Sequence, residues 1–291
     1  MATETTTFGR VQRDLHQAPD FARYYASPAA NALFEEVRDA LPGIDVLSLD
    51  VFDTLLLRDH RSELERFTDI AEAFAARLAA DDPAAAPSAR ACLVARVMAA
   101  ATAYRVTAAV DGCREGRHAD ILAETVALLR LPPGQAATLA EAELAVETAQ
   151  LRLSAFAMRL VELARHAGKR VVLISDMYYP ASHIATLLAA CGCDPAAFDA
   201  IWSSADTVRN KRSGTLYPVV AAELAVPPGR ILHLGDSFGS DFAAAVSAGL
   251  QAIHLPVPRA LARRRHDSHH ATLARLFGED VPDLPIAAPA L

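Results

Sequence analysis

The stretch VLSLDVFDTLLLR, Val46–Arg58, decides how this chain is read. A mostly apolar run ends on Asp50; Asp53 and Thr54 follow, and then a second aliphatic run. A short apolar run bounded by polar residues fits a strand buried on both faces of a parallel sheet. Two more runs share the pattern: RVVLIS, 170–175, ends at Ser175, and RILHLG, 230–235, ends just before Asp236. Each is followed by polar or glycine residues and then by a helical periodicity, the alternation of an α/β fold with crossover helices. AIWSS, 200–204, and QAIHL, 251–255, are candidate fourth and fifth strands.

Between Arg58 and Lys169 the texture changes. ELERFTDIAEAFAARLAA, SARACLVARVMAAATAYR, HADILAETVALLRL and the long LAEAELAVETAQLRLSAFAMRLVELARHAG all repeat apolar residues at three and four, with no strand pattern between them. DDPAAAP and LPPG separate them. Roughly a hundred residues is far more than a simple crossover needs, so an all-helical cap inserted after the first strand is expected. The expected division is a helical extension over 1–43 packed on the core, with Ser27 as N-cap and Gly43 as stop. A Rossmann-like, doubly wound parallel core then takes 44–60 and 166–258, the cap 61–165, and a C-terminal helix and tail 259–291.

Composition narrows the function. The chain has 291 residues, 52% of them hydrophobic, and a formal net charge of -7, which argues against a partner bound through nucleic-acid phosphates. Only two lysines occur, Lys169 and Lys211, so each is informative. Cys92, Cys113, Cys191 and Cys193 lack metal-ligand spacing and read as buried thiols. His269 and His270 have no partner set for zinc, and the basic RALARRRHDSHH reads as a solvated helix face, with contact to a phosphorylated partner as the alternative. MATETTTFGR holds no apolar leader core and no run is long enough to span a bilayer, so a soluble, cytoplasmic protein is expected.

In open α/β sheets, ligands bind beyond the carboxyl ends of the strands. The residues delivered there are Asp50, Ser175 and Asp236, with Asp241 five further on in GDSFGSD. Converging carboxylates raise one another's pKa. A hard divalent cation removes that conflict, and Mg²⁺ favours carboxylates together with phosphate oxygens and water. Lys211, in NKRSGTLYP after AIWSS, is placed to balance a phosphate.

LDVFDTLLLR, LISDMYYP, NKRSGTLYP and HLGDSFGSD, in that order over about 46–255, resemble the four motifs of the haloacid dehalogenase-like hydrolases, most of which are aspartate-nucleophile phosphatases. The wording is closest to a bacterial branch with an aspartate–any–Phe–Asp–Thr first motif and SDMY in the second, often met beside sugar-modifying enzymes. The resemblance implies that Asp50 attacks phosphorus to form an aspartyl-phosphate. Ser175 would hold a phosphoryl oxygen, and Lys211 would neutralise developing charge and orient Asp50. Asp50, Asp236, Asp241 and the backbone carbonyl of Phe52 would hold Mg²⁺. Thr54, Asp176 and Arg58 are expected substrate contacts, with Tyr104, Arg105, Tyr178 and Tyr179 as further candidates. The expected substrate is a small phosphorylated metabolite, such as a sugar phosphate or a nucleotide-linked sugar.

One position departs from the family. Most of its phosphatases carry, two residues after the nucleophile, a second aspartate that protonates the leaving oxygen; here that residue is Phe52, and Asp53 follows one step later. In an extended strand end these two side chains point to opposite sides, so Asp53 is not an automatic substitute. Losing general acid–base help costs roughly 10²–10⁴-fold in rate. Asp53, Asp176, a cap residue or the substrate would then supply the proton. Alternatively the leaving group needs none, as in an acyl phosphate or a diphosphate, or a weakened site serves binding and regulation. Dehalogenases of the family carry an aromatic at the same position, but they need no Mg²⁺ and lack the GD…D pattern present here. Phosphonoacetaldehyde hydrolases need a cap lysine, and none occurs between Arg58 and Gly168.

Overall fold

The sheet strands form where the apolar runs lie. A computed structural model describes residues 9–13, 17–278 and 284–286. Its strands are β1 (Gly9–Val11), β2 (Val46–Leu49), β3 (Leu56–Arg58), β4 (Leu151–Leu153), β5 (Arg170–Ser175), β6 (Ala200–Ser203), β7 (Ile231–Gly235) and β8 (Gln251–His254). Six of them make one parallel sheet in the order β1-β8-β7-β2-β5-β6, and β3 and β4 make a two-stranded sheet. This is a Rossmann-like α/β fold, with β2 at the point where the strand order reverses. Leu49 of β2 is in register with Leu173 of β5 and Leu234 of β7. Asp50, Ser175 and Asp236 therefore leave the sheet one, two and two residues past the same line.

Helices α1 (Phe21–Tyr25) and α2 (Pro28–Ala40) precede β2. Helices α3 (Glu63–Asp81), α4 (Ala89–Val106), α5 (His118–Leu128) and α6 (Gln135–Gln150) lie between β3 and β4. The later strands are separated by α7 (Ala155–His166), α8 (Ala181–Ala190), α9 (Ser204–Thr207), α10 (Leu216–Leu224) and α11 (Ala244–Ser247), and α12 (Arg259–Phe277) follows β8. All four residues of β2 are buried, as a central strand covered on both faces requires. Val46, Val172, Ile174 and Ile231 pack with Leu216 and Val220 of α10 in one core cluster. The polar exceptions within the central strands meet each other: the Ser48 hydroxyl lies 2.8 Å from Nδ1 of His233, both fully buried. No helix among the described residues is long and apolar enough to cross a membrane.

The chain divides into two compact units. The sheet unit comprises Met1–Arg58, Ala109–Cys113 and Arg152–Leu261, and the helical unit Asp59–Ala108, Arg114–Leu151 and Ala262–Leu291. These bounds differ from the expected 61–165 and 259–291. Helix α7 belongs to the sheet unit, and most of α12 to the helical one. The single long helix expected through residues 139–168 is two helices. Leu151–Leu153 alternates apolar, polar, apolar and pairs as β4. The Ser154 hydroxyl then accepts the Ala157 N–H at 3.2 Å and caps α7. The 1–43 segment is likewise not all helical: β1 adds a parallel edge strand against β8, while Ser27 caps α2 as expected, accepting the Ala30 N–H.

Within the helical unit, a buried ionic group ties three helices. Glu143 of α6 accepts from Arg96 of α4 at 2.9 Å and faces His118 of α5 at 3.3 Å. The C-terminal basic stretch is not simply a solvated face. Arg265 and His269 are buried, Arg265 Nε donates to the Asp59 carbonyl at 2.9 Å, and the Ser62 N–H donates to the Ser268 hydroxyl at 2.9 Å.

Candidate active site

Asp50 leaves β2 with its N–H donated to the Leu234 carbonyl at 2.8 Å. The chain then turns rather than continuing extended: the Leu55 and Leu56 N–H groups both donate to the Val51 carbonyl, at 2.9 and 2.7 Å. Asp53 adopts φ 61° in this turn, and its Oδ1 accepts the Arg58 N–H at 3.1 Å. The strand alternation that separated Phe52 from Asp53 therefore does not apply. Both line one cavity of about 250 Å³, together with Asp50 and Arg58. Ser175, Lys211, Asp236 and Asp241 line the same cavity.

Lys211 reaches this point on a tightly held loop. Asp176 accepts the Lys211 N–H on one carboxylate oxygen at 2.7 Å and the Arg212 N–H on the other at 3.1 Å. Val208, just upstream, is at φ 60°, a conformation that costs a β-branched residue roughly 1–2 kcal/mol. The Lys211 ammonium is 2% exposed and donates to Asp50 at 2.5 Å and to Asp241 at 2.6 Å. Asp241 also takes a hydrogen bond at 3.2 Å from His233 Nε2, on the same oxygen as Lys211, and one at 2.9 Å from the Ser237 N–H on the other. Gly235 permits this approach, since a Cβ there would lie 2.3 Å from Cγ of Asp241.

The electrostatics follow from crowding. Burial pushes the Asp50 carboxyl up to about 7, with Asp241 adding to the rise and Lys211 opposing it. Burial, with repulsion from Asp50, Asp53 and Asp241, drives Asp236 well above the usual range. Burial also works against the charge of Asp241, but Lys211 and His233 outweigh it and hold that carboxyl low. The Lys211 ammonium is held charged by Asp241 and Asp50 against the same burial. Burial pushes His233 down, so its neutral ring fits the pattern of accepting from Ser48 and donating to Asp241. Oxygen atoms of Asp50, Asp236 and Asp241 lie within 4.8 Å of one another. With all three carboxyls ionised, one ammonium would leave two negative charges unbalanced, and this all-oxygen donor set fits a hard divalent cation.

The family model for the haloacid dehalogenase-like hydrolases matches residues 44–249. The chain belongs to that family. No curated protein matches this hydrolase. Among solved structures, an uncharacterised protein from Listeria monocytogenes serotype 4b is 22% identical with a TM-score of 0.33; the alignment covers 36% of this chain and 61% of that one, less than two thirds of its length. A 2-haloacid dehalogenase from Pseudomonas syringae is 16% identical over 72% of this chain and 86% of its own, with a TM-score of 0.49. A Bacillus subtilis protein assigned as a HAD-hydrolase and bound to magnesium is 19% identical over 78% and 99%, with a TM-score of 0.45.

The expected substrate contacts Thr54 and Asp176 differ in where the structure places them. Thr54 is fully buried and does not line the cavity, because the turn after Asp50 directs it into the core; its hydroxyl has no hydrogen-bond partner among the described residues. Asp176 borders the cavity, but its carboxylate is occupied in holding the Lys211 loop. Tyr178 and Tyr179 are core residues, 3% and 0% exposed, with Tyr179 stacked on His183 at 4.3 Å. Tyr104 and Arg105 lie in the helical unit, where the Tyr104 ring covers Gly116. Arg58 does line the cavity, as expected. His233 was not among the expected site residues, and its only sequence signal is a histidine inside an otherwise apolar central strand.

Proposed function

We propose that this hydrolase is a Mg²⁺-dependent phosphohydrolase acting on a small phosphorylated metabolite. A single observation carries the reading: the Asp50 carboxylate is in contact with the Lys211 ammonium and within 4.8 Å of the Asp236 and Asp241 oxygens. A lone nucleophile needs no such excess of oxygen donors. A halide-displacing site needs no metal either, so the same donor set disfavours the dehalogenase reading. The cavity of about 250 Å³ suits a small substrate.

In this reading, Asp50 Oδ attacks phosphorus while the bond to the leaving oxygen breaks. Lys211 holds the other face of Asp50 and offsets charge growing on the phosphoryl oxygens. Ser175, buried at the end of β5, hydrogen-bonds one of those oxygens. Water then cleaves the aspartyl-phosphate, and Asp50 recovers its electron pair as a carboxylate. Asp50, Asp236 and Asp241, with the Phe52 carbonyl, would hold Mg²⁺, which when bound offsets the repulsion between the carboxylates and the phosphoryl group.

The test is a phosphorylated-metabolite panel, including sugar phosphates and nucleotide-linked sugars, assayed with Mg²⁺ against Asp50→Asn. Turnover dependent on Asp50 and on Mg²⁺ is expected. Ligand binding without turnover on any compound would favour the second reading, a regulatory binding protein, which Phe52 at the acid position supports.

A further inference from the structure

The place where the family carries a proton donor is occupied by an apolar ring, and a cation lies on that ring. The Arg58 guanidinium carbon is 4.2 Å from the centroid of Phe52, and Arg58 Nη2 is 4.0 Å from Sδ of Met177. Its backbone is pinned as well, through the Arg58 N–H donated to Asp53. Phe52, Arg58 and Met177 all line the cavity that holds Asp50. A guanidinium held over an aromatic face is weakly hydrated and fixed in orientation. It keeps its charge at every working pH and cannot give up a proton. Such a group stabilises an oxygen that leaves as an anion, and it does nothing to make an alkoxide leave as an alcohol.

We propose that Arg58, positioned on Phe52, takes the place of the missing acid, so that the site hydrolyses phosphoanhydrides, whose leaving group is a carboxylate or a phosphate, in preference to alkyl phosphate esters. This rests on the phosphohydrolase reading and names its substrate class. In the first step the Asp50 Oδ–P bond forms and the P–O bond to the leaving group breaks. The leaving oxygen keeps the bonding electron pair and departs unprotonated beside Arg58. In the second step water oxygen bonds to phosphorus and the Asp50 Oδ–P bond breaks. For a dianionic acyl phosphate, substrate and water together give the carboxylate, hydrogen phosphate dianion and one proton released to solvent. Asp53 is the competing candidate for a proton donor, since it borders the same cavity, but one of its oxygens accepts the Arg58 amide.

The experiment measures kcat/KM with Mg²⁺ for acetyl phosphate, inorganic diphosphate, ADP and glycerol phosphate, with inorganic phosphate inhibition and melting curves alongside. The proteins are wild type, Arg58→Met, Arg58→Lys, Asp53→Asn and Asp50→Asn. The wild type should favour at least one anhydride over glycerol phosphate by about 10²-fold or more, the scale of absent acid catalysis. Acetyl phosphate and the two diphosphates separate the carboxylate from the phosphate leaving group. Arg58→Met should lower anhydride turnover by about 10²–10³-fold, as for loss of one charge-stabilising donor. Its inhibition by inorganic phosphate should change less than about tenfold, and Arg58→Lys should recover part of the rate. Glycerol phosphate turned over within about tenfold of every anhydride would overturn the proposal alone, since acid catalysis is worth more than that. So would Arg58→Met slowing all substrates by one factor, or Asp53→Asn selectively abolishing ester hydrolysis. No turnover above Asp50→Asn on any compound, there and across the metabolite panel, overturns the phosphohydrolase reading and the proposal with it.

Discussion

In the helical unit, Glu143 lies between Arg96 and His118; in the sheet unit, Asp50, Asp236 and Asp241 gather around Lys211 and the neutral His233. The first group is buried and balanced; the second lines a cavity, with Asp236 only partly buried, and is not. Burial works against the Glu143 charge, but Arg96 and His118 outweigh it and hold its carboxyl far below the usual range. Asp50 and Asp236 are pushed the other way. A buried carboxylate with its full complement of donors stiffens a helix bundle. A crowded set of carboxyls whose ionisation burial and mutual repulsion oppose has the donor chemistry to take a cation.

The sharpest way to break this contrast is to remove one acid from each group. Asp50→Asn should lower turnover by about 10⁴-fold or more, over ~5 kcal/mol of barrier, while leaving metal-free melting unchanged or raised. Steady-state kinetics and differential scanning calorimetry on the same preparation check both halves. Glu143→Ala should do the reverse. Stranding Arg96 in the core costs about 3–5 kcal/mol of stability, read by denaturant unfolding. Turnover per folded molecule should stay within about twofold, since Glu143 is not among the residues that line the cavity and its loss should act through folding.

A smaller effect separates the groups by ligand and by pH. At a Mg²⁺ concentration of 100 times its Kd, the wild type should gain about 2.7 kcal/mol, and Asp236→Asn and Asp241→Asn should gain less. Mg²⁺ binding requires deprotonated carboxylates, so its affinity should rise as pH increases through about 7, where metal-free Asp50 titrates. Calorimetric titration at pH 6 and pH 8 would show this as proton release, and an affinity flat across that range would count against it. The signs for metal-free stability oppose one another. The raised Asp50 pKa stabilises below the unfolded carboxylate value and is lost as pH rises toward about 7. The lowered Glu143 pKa stabilises above the unfolded value and is lost as pH falls below it.

The smallest expected effect concerns His233. His233→Phe keeps a ring but removes the donor to Asp241, and should weaken Mg²⁺ about 10–100-fold, with His233→Asn recovering part. Equal Mg²⁺ affinity in wild type and His233→Phe would show that the Ser48–His233–Asp241 chain only fills space.

The parts of this molecule that were legible in sequence are those where one physical requirement dominates. VLSL, RVVLIS and ILHLG are strands because strands buried on both faces must be mostly apolar. Asp50, Ser175 and Asp236 converge because strand ends converge, and Lys211 and Asp241 join them from the segments that follow β6 and β7. What was not legible depends on a local choice between two acceptable structures. Leu151–Leu153 is compatible with either helix or strand, and pairing with β3 decides it. Asp53 follows an extended strand in sequence, but the turn's φ of 61° turns it into the cavity. Asp176 is next to Ser175 in the chain, but its two oxygens accept the Lys211 and Arg212 amides, a pairing that no local pattern announces. The place of Arg58 beside the cavity was expected from the sequence, whereas its seat on Phe52 exists only in three dimensions.

The scarcity of lysine has a consequence for handling the protein. Lys169 donates to the Ile44 carbonyl at 2.9 Å from a half-buried position, and Lys211 is sealed at 2% exposure between two carboxylates. Acylating reagents need access to the amine, so they should modify the half-buried Lys169 before Lys211, which reacts only when the carboxylate cage opens. The rate at which a second lysine label enters the chain should therefore clock the opening of the carboxylate cage around Lys211, without any substrate in hand.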